Sequence, residues 1–133
     1  MPFVIDASVV AAWLLPDEAS PEADTALERT VDDTPLAPDL LLHEIRNILL
    51  MAERRGRIKP DDVHIALTRF DQLSIEPDGH LDHIRVVDCA RRHSLSAYDA
   101  AYLALAIVTE CPLATLDRKL MAVAGSEGVE LLW

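Results

Sequence analysis

Basic residues are scarce in this chain, and cysteine is scarcer still. Twelve Lys and Arg stand against 23 Asp and Glu, for a formal net charge of −11. That balance disfavours tight, sequence-independent grip on nucleic acid through phosphate neutralisation alone. Any nucleic-acid chemistry must then use local basic patches or a metal. The two cysteines, Cys89 and Cys111, are too few for a disulfide framework and lack metal-ligand spacing, which fits a reducing cytosol. Long apolar runs are missing as well. The longest, residues 100–108, has nine residues, against the roughly 20 needed to cross a bilayer. Met1-Pro2-Phe3 carries no basic leader and Asp6 interrupts the stretch where a signal sequence needs its apolar core, so the expectation is a cytoplasmic protein. Repeats, low-complexity segments and linkers are also lacking.

What is present is apolar bulk. Half of the 133 residues are hydrophobic, enough to bury a sizeable core in one domain spanning residues 1–133. Residues 3–5 (Phe3-Val4-Ile5) read as a buried strand, and residues 7–15 as a helix that Pro16 and Asp17 stop. Ser20-Pro21-Glu22 opens a polar helix to about Val31, and residues 35–38 form a brief, proline-bounded strand. From 39 to 55, Leu40, Leu41, Ile45, Ile48, Leu49 and Ala52 recur at helical spacing until Gly56. A helix follows from Pro60 to about Leu73, with acids in its first turn where the macrodipole favours them. Residues 73–76 read as a strand, and 81–93 as an amphipathic helix with Ile84, Val87 and Ala90 facing inward. Ser96 caps a helix to Thr109 that is apolar nearly all round, the mark of an element packed on several sides. Residues 112–115 give a strand, 118–124 a helix and 129–132 a terminal strand. This alternation predicts an α/β fold, three layers with a central, mostly parallel sheet covered on both faces.

Four acids occupy unusual surroundings. Asp6 ends the first apolar run, and in open α/β sheets ligands sit beyond the carboxyl ends of the strands. Asp117 lies two residues past another short apolar run, and Asp99 is the only formally charged side chain between His93 and Thr109. Each of these three has an ordinary explanation. Asp6 and Asp117 precede helices and aspartate caps well, while Ser96 and Asp99 match capping-box spacing. Glu44 has no such excuse. It falls three positions after Leu41 and four before Ile48, inside the apolar stripe of its helix. A buried carboxylate must be neutralised, paired or bound to a cation, the alternatives being a stripe-edge glutamate or an ion pair with Arg46 or Arg118. Should the four converge, hard oxygen ligands select Mg²⁺ or Mn²⁺, and such a site suits phosphodiester hydrolysis. Ser8 and Thr115 are placed to hydrogen-bond those carboxylates, unless they are plain turn hydroxyls.

At these residues the chain resembles the PIN-domain ribonucleases, and among them the VapC-type toxins of toxin–antitoxin pairs. The matching blocks are Val4-Ile5-Asp6-Ala7-Ser8, then Pro38-Asp39-Leu40 with Glu44-Ile45-Arg46-Asn47-Ile48-Leu49, and Tyr98-Asp99-Ala100-Ala101-Tyr102-Leu103-Ala104-Leu105-Ala106. The last is Leu113-Ala114-Thr115-Leu116-Asp117-Arg118-Lys119-Leu120. The resemblance makes Asp6, Glu44, Asp99 and Asp117 the metal-site acids and puts Ser8, Thr115 and Asn47 at supporting positions. It implies a Mg²⁺- or Mn²⁺-dependent endoribonuclease whose substrate is often a structured RNA such as transfer RNA, cut to leave a 5′-phosphate. It further implies a homodimer held inactive by a cognate antitoxin. Arg46, Arg54, Arg55, Arg57 and Lys59 form a basic region suited to phosphates, although cations near a helix end also stabilise its dipole. Arg91-Arg92-His93 has the same double reading.

Three other functions compete. A haloacid-dehalogenase-type phosphohydrolase needs a second aspartate two residues after the first, and Ser8 stands there. A receiver domain needs a lysine at a strand end, which Lys119 is not. A catalytically silent protein-binding module of the same fold remains, but a scaffold has no need for Glu44 inside an apolar stripe.

Overall fold

In the computed structural model, which describes residues 1–79 and 81–133, the first apolar run becomes β1 (Phe3–Ile5), fully buried along its length. Burial of consecutive rather than alternate side chains is what a strand covered on both faces requires. Asp6 then caps α1 (Ala7–Leu14), and Leu15, the residue before Pro16, turns extended and ends it. The Trp13 indole N–H donates to the Ala23 carbonyl at 2.7 Å. That bond ties α1 to α2 (Pro21–Arg29), which opens on a Ser20 cap with proline in its first turn. The remaining elements are β2 (Pro35–Pro38), α3 (Leu40–Arg54), α4 (Pro60–Gln72), β3 (Glu76–Asp78), α5 (His83–His93), α6 (Ala97–Thr109), β4 (Leu113–Ala114) and α7 (Arg118–Ser126). The architecture is α/β, with helices layered on a parallel sheet, as the alternation implies.

All pairings are parallel and the strand order is β3-β2-β1-β4. From β1 the chain builds outward to β2 and β3, then crosses back to place β4 on the other side of β1. The order therefore reverses between β1 and β4, and the crevice beyond their carboxyl ends is the topological switch point where such sheets bind ligands.

The α6 helix is the central support. Ala100, Tyr102, Leu103, Ala104, Leu105 and Ala106 are all buried, and the helix packs against α5, α7, β1, β2 and β4. Its small alanines allow that close approach on several sides. Among the described residues, no helix is long and apolar enough to cross a membrane.

Three expectations are corrected. The strand expected at 73–76 lies at 76–78, because the ladder pairs Leu36, Ala37 and Pro38 with Glu76, Pro77 and Asp78. Pro77 is tolerated there because β3 is the sheet's edge. Of the strand expected at 129–132, only a single parallel bridge forms, Leu131 to Leu113. On α5, Ala90 turns inward as expected, but Ile84 and Val87 are exposed and Val86 and Cys89 turn inward in their place. Both sets satisfy helical spacing, and docking on α6 chooses between them.

Candidate functional site

Asp6 sits where β1 hands over to α1, almost wholly buried. Its Oδ1 accepts from the Ser8 N–H at 3.1 Å, the Val9 N–H at 3.3 Å and the Ser8 hydroxyl at 2.5 Å. Its Oδ2 accepts from the Thr115 hydroxyl. Burial pushes its pKa up to about 6 even against these four bonds, each of which favours the charged form. The two hydroxyls are themselves fixed. Ser8 Oγ accepts the Leu116 N–H at 2.9 Å and Thr115 Oγ1 accepts the Asp117 N–H at 3.0 Å. Both hydroxyls therefore lock β1's end to β4's end.

Asp117 caps α7, its Oδ1 accepting from the Leu120 N–H at 3.0 Å. Asp99 lies in the first turn of α6, where Ser96 Oγ accepts its N–H at 3.1 Å. Capping and site thus coexist: Asp117, like Asp6, uses Oδ1 for its helix. Glu44 comes from α3 and is half-buried, and its Oε1 accepts the Tyr102 hydroxyl at 2.7 Å. That phenol, and not Arg46 or Arg118, is its partner. Burial first and the Asp99 charge after it raise the Glu44 pKa, against the Tyr102 bond. Burial and the Asp117 charge raise Asp99, against the Ser96 hydroxyl and the Lys119 charge. Burial and the Glu44 carboxylate hold the Tyr102 phenol protonated far above its ordinary range.

Asp6, Glu44, Asp99 and Asp117 line one cleft of about 220 Å³, together with Ala7, Ser8, Ile48 and Tyr102. It lies at the switch point of the sheet. A larger hollow of about 550 Å³ includes Met1, Pro112 and Glu127 and so opens at the amino ends of β1 and β4. Its Glu127 already holds Arg92 and His93, at 2.8 Å and 2.6 Å. Chemistry favours the smaller cleft. Among the described residues none of its four acids makes an ion pair.

The donor set fits a hard divalent cation: every polar side chain lining the cleft is a carboxylate or hydroxyl oxygen, and the acids repel one another with no cationic side chain among them. Among the described residues, no three His, Cys, Asp or Glu side chains form a ready-made cage. Mg²⁺ needs none, since it dehydrates reluctantly and is held through one or two carboxylates and several waters.

A PIN domain model matches residues 3–126. The chain belongs to the PIN domain family. Ribonuclease VapC3 of Pyrobaculum aerophilum is 32% identical over 123 residues, covering 90% of this chain and 92% of that one. Among solved structures, PAE2754 from Pyrobaculum aerophilum aligns with a TM-score of 0.69 at 25% identity, over 92% of this chain and 86% of that one. VapBC2 from Rickettsia felis, solved bound to a DNA fragment from its promoter, aligns at 0.69 with 13% identity over 98% and 97% of the two chains. FitAcB from Neisseria gonorrhoeae aligns at 0.61 with 17% identity over 98% and 96%. The last two likenesses concern the fold alone.

In this PIN domain the four acids and Ser8 line the cleft and Thr115 bonds to Asp6, whereas Asn47 is exposed on α3 and does not line the cleft. Arg46, Arg54, Arg55 and Lys59 are exposed. Arg57 is committed to Asp17 and Glu18, at 2.9 and 3.0 Å. Sequence reasoning passed over Tyr102 as a functional residue. Its position one helical turn after Asp99 was the available signal.

Proposed function

We propose that this PIN domain is a divalent-metal-dependent endoribonuclease of the VapC toxin kind, acting in the cytoplasm on RNA such as transfer RNA and leaving a 5′-phosphate. The observation that carries this reading is the cleft itself, in which four carboxylates share one wall-to-wall space without a cationic side chain to neutralise them. Asp6, Glu44, Asp99 and Asp117 would hold Mg²⁺ or Mn²⁺ through their oxygens and intervening waters. A divalent cation there supplies Lewis acidity, lowering the pKa of a water and stabilising charge on the phosphate in phosphodiester hydrolysis.

The protein's own part is preorganisation. Ser8 and Thr115 keep the Asp6 carboxylate ionised and oriented although burial opposes its charge. Burial and neighbouring carboxylates oppose the charges of Asp99 and Glu44 despite Tyr102, Ser96 and Lys119, so a bound cation would be stabilised there. An overall charge of −11 repels RNA at long range, so substrate contact falls to the exposed Arg46, Arg54, Arg55 and Lys59. The kinship with Ribonuclease VapC3 supports the reaction class. On the same reading the protein is a homodimer restrained by a cognate antitoxin whose binding blocks the acidic cleft.

Brief expression in cells, followed by sequencing of newly formed RNA 5′ ends, tests the proposal. Wild type should generate a small set of recurrent 5′-phosphate ends that Asp6→Asn does not. Identical end profiles from the two would instead favour a protein-binding module without catalysis.

A further inference from the structure

Tyr102 is buried to 2% exposure, and its ring belongs to the core cluster formed with β1 and α3. Its hydroxyl nevertheless reaches the cleft, bridging 58 positions of sequence to Glu44 Oε1 at 2.7 Å. Asp99, one turn earlier on α6, lines the same space.

We propose that Tyr102 is a positioning residue, whose phenol pins Oε1 of Glu44 so that Oε2 is presented to a bound divalent cation. This deepens the reading of the cleft as a cation site and rests on it. A glutamate has three side-chain torsions, and a half-buried one facing Asp99 lowers its energy by swinging toward water and away from the like charge. Pinning therefore has to come from a donor that cannot itself move. A phenol with two torsions, locked in the core, meets that need. It also meets a second one. An arginine or lysine in its place would hold Glu44 as firmly, but would bring a positive charge into the cleft and compete with the ion. The phenol is neutral, so it restrains the carboxylate and leaves the negative potential intact.

The competing explanation is that the hydroxyl merely satisfies a polar atom at the core's edge. A double-mutant cycle read by Mn²⁺ binding separates the two, with free Mn²⁺ followed by electron paramagnetic resonance on wild type, Tyr102→Phe, Glu44→Gln and the double variant. Tyr102→Phe keeps the ring and removes one oxygen. The expected loss of Mn²⁺ affinity is about 10- to 100-fold for Tyr102→Phe, with little further loss when it is added to Glu44→Gln. Wild type binding Mn²⁺ while Tyr102→Phe binds equally well overturns this inference and leaves the cation site standing. So does an equal loss in the Glu44→Gln background, or a Tyr102→Phe chain that fails to fold by circular dichroism, since either makes the phenol a structural support. Wild type that binds no Mn²⁺ removes the cation site and this inference together.

Discussion

Thr115 and Asp6 stand 109 positions apart in sequence, and the threonine hydroxyl donates directly to the aspartate's Oδ2 at the junction of β1 and β4. The same hydroxyl accepts the Asp117 N–H. One oxygen atom thus fixes the registry of two of the cleft's four acids. Thr115 is fully buried, so nothing else replaces the bond if it is lost. Thr115→Val, which preserves shape, should destabilise the fold by about 1–3 kcal/mol in urea unfolding at neutral pH, the cost of leaving a buried acceptor short of a donor. It should also raise the Asp6 pKa further, because a bond to the charged form has gone.

The Asp6 shift has a definite sign. Its pKa rises from 3.8 to about 6 on folding, so the folded state binds the proton more tightly than the unfolded one. Cation-free stability should therefore fall as pH rises from about 4 through about 6 and stay low above, by on the order of 3 kcal/mol from Asp6. Glu44 and Asp99 are raised too and add to the same slope. Asp33 and Glu127, held low by the amino terminus with Arg29 and by His93 with Arg92, act oppositely, losing their stabilisation as pH falls. Comparing wild type with Asp6→Asn in EDTA cancels those contributions. The variant should be the more stable at pH 7.5, with the difference vanishing near pH 4.

Adding cation should narrow that gap. A ligand that binds only the folded state at 100 times its Kd contributes about 2.7 kcal/mol, so millimolar Mn²⁺ should raise the melting temperature of wild type. Asp6→Asn should not respond. Differential scanning fluorimetry with and without Mn²⁺ decides this.

The basic region splits. Arg57 lies in a fork between Asp17 and Glu18, with Nε and Nη2 both 2.9 Å from Asp17 oxygens, so it is not offered to phosphate. Arg46, exposed two residues after Glu44, is. Arg57→Gln should leave the salt dependence of RNA binding unchanged, while Arg46→Gln should lower the slope of log affinity against log salt by about 1. Filter binding across a salt series measures both.

Much of this was legible in the amino-acid order, and the failures have physical reasons. The strand tip at Asp6 is readable because an apolar run, a carboxylate and a helical pattern meet there. Glu44 is readable as an anomaly within its stripe, yet its partner is not, since Tyr102 arrives from α6 through packing that no local pattern encodes. The apolar Leu73 and Ile75 draw the expected strand three residues ahead of β3. Pairing to β2 sets its position, and Pro77 hides it from strand propensity. On α5 two apolar stripes satisfy the same period, and only the partner helix selects one.

The central claim, that the four acids of one cleft jointly support cation-dependent RNA hydrolysis, is tested most directly with purified protein and RNA in Mn²⁺. Cleavage should appear for wild type, vanish with EDTA, and drop at least about a hundredfold in Asp99→Asn with its fold retained. An Asp99→Asn protein that cuts at the wild-type rate, or cutting undiminished by EDTA, would contradict it.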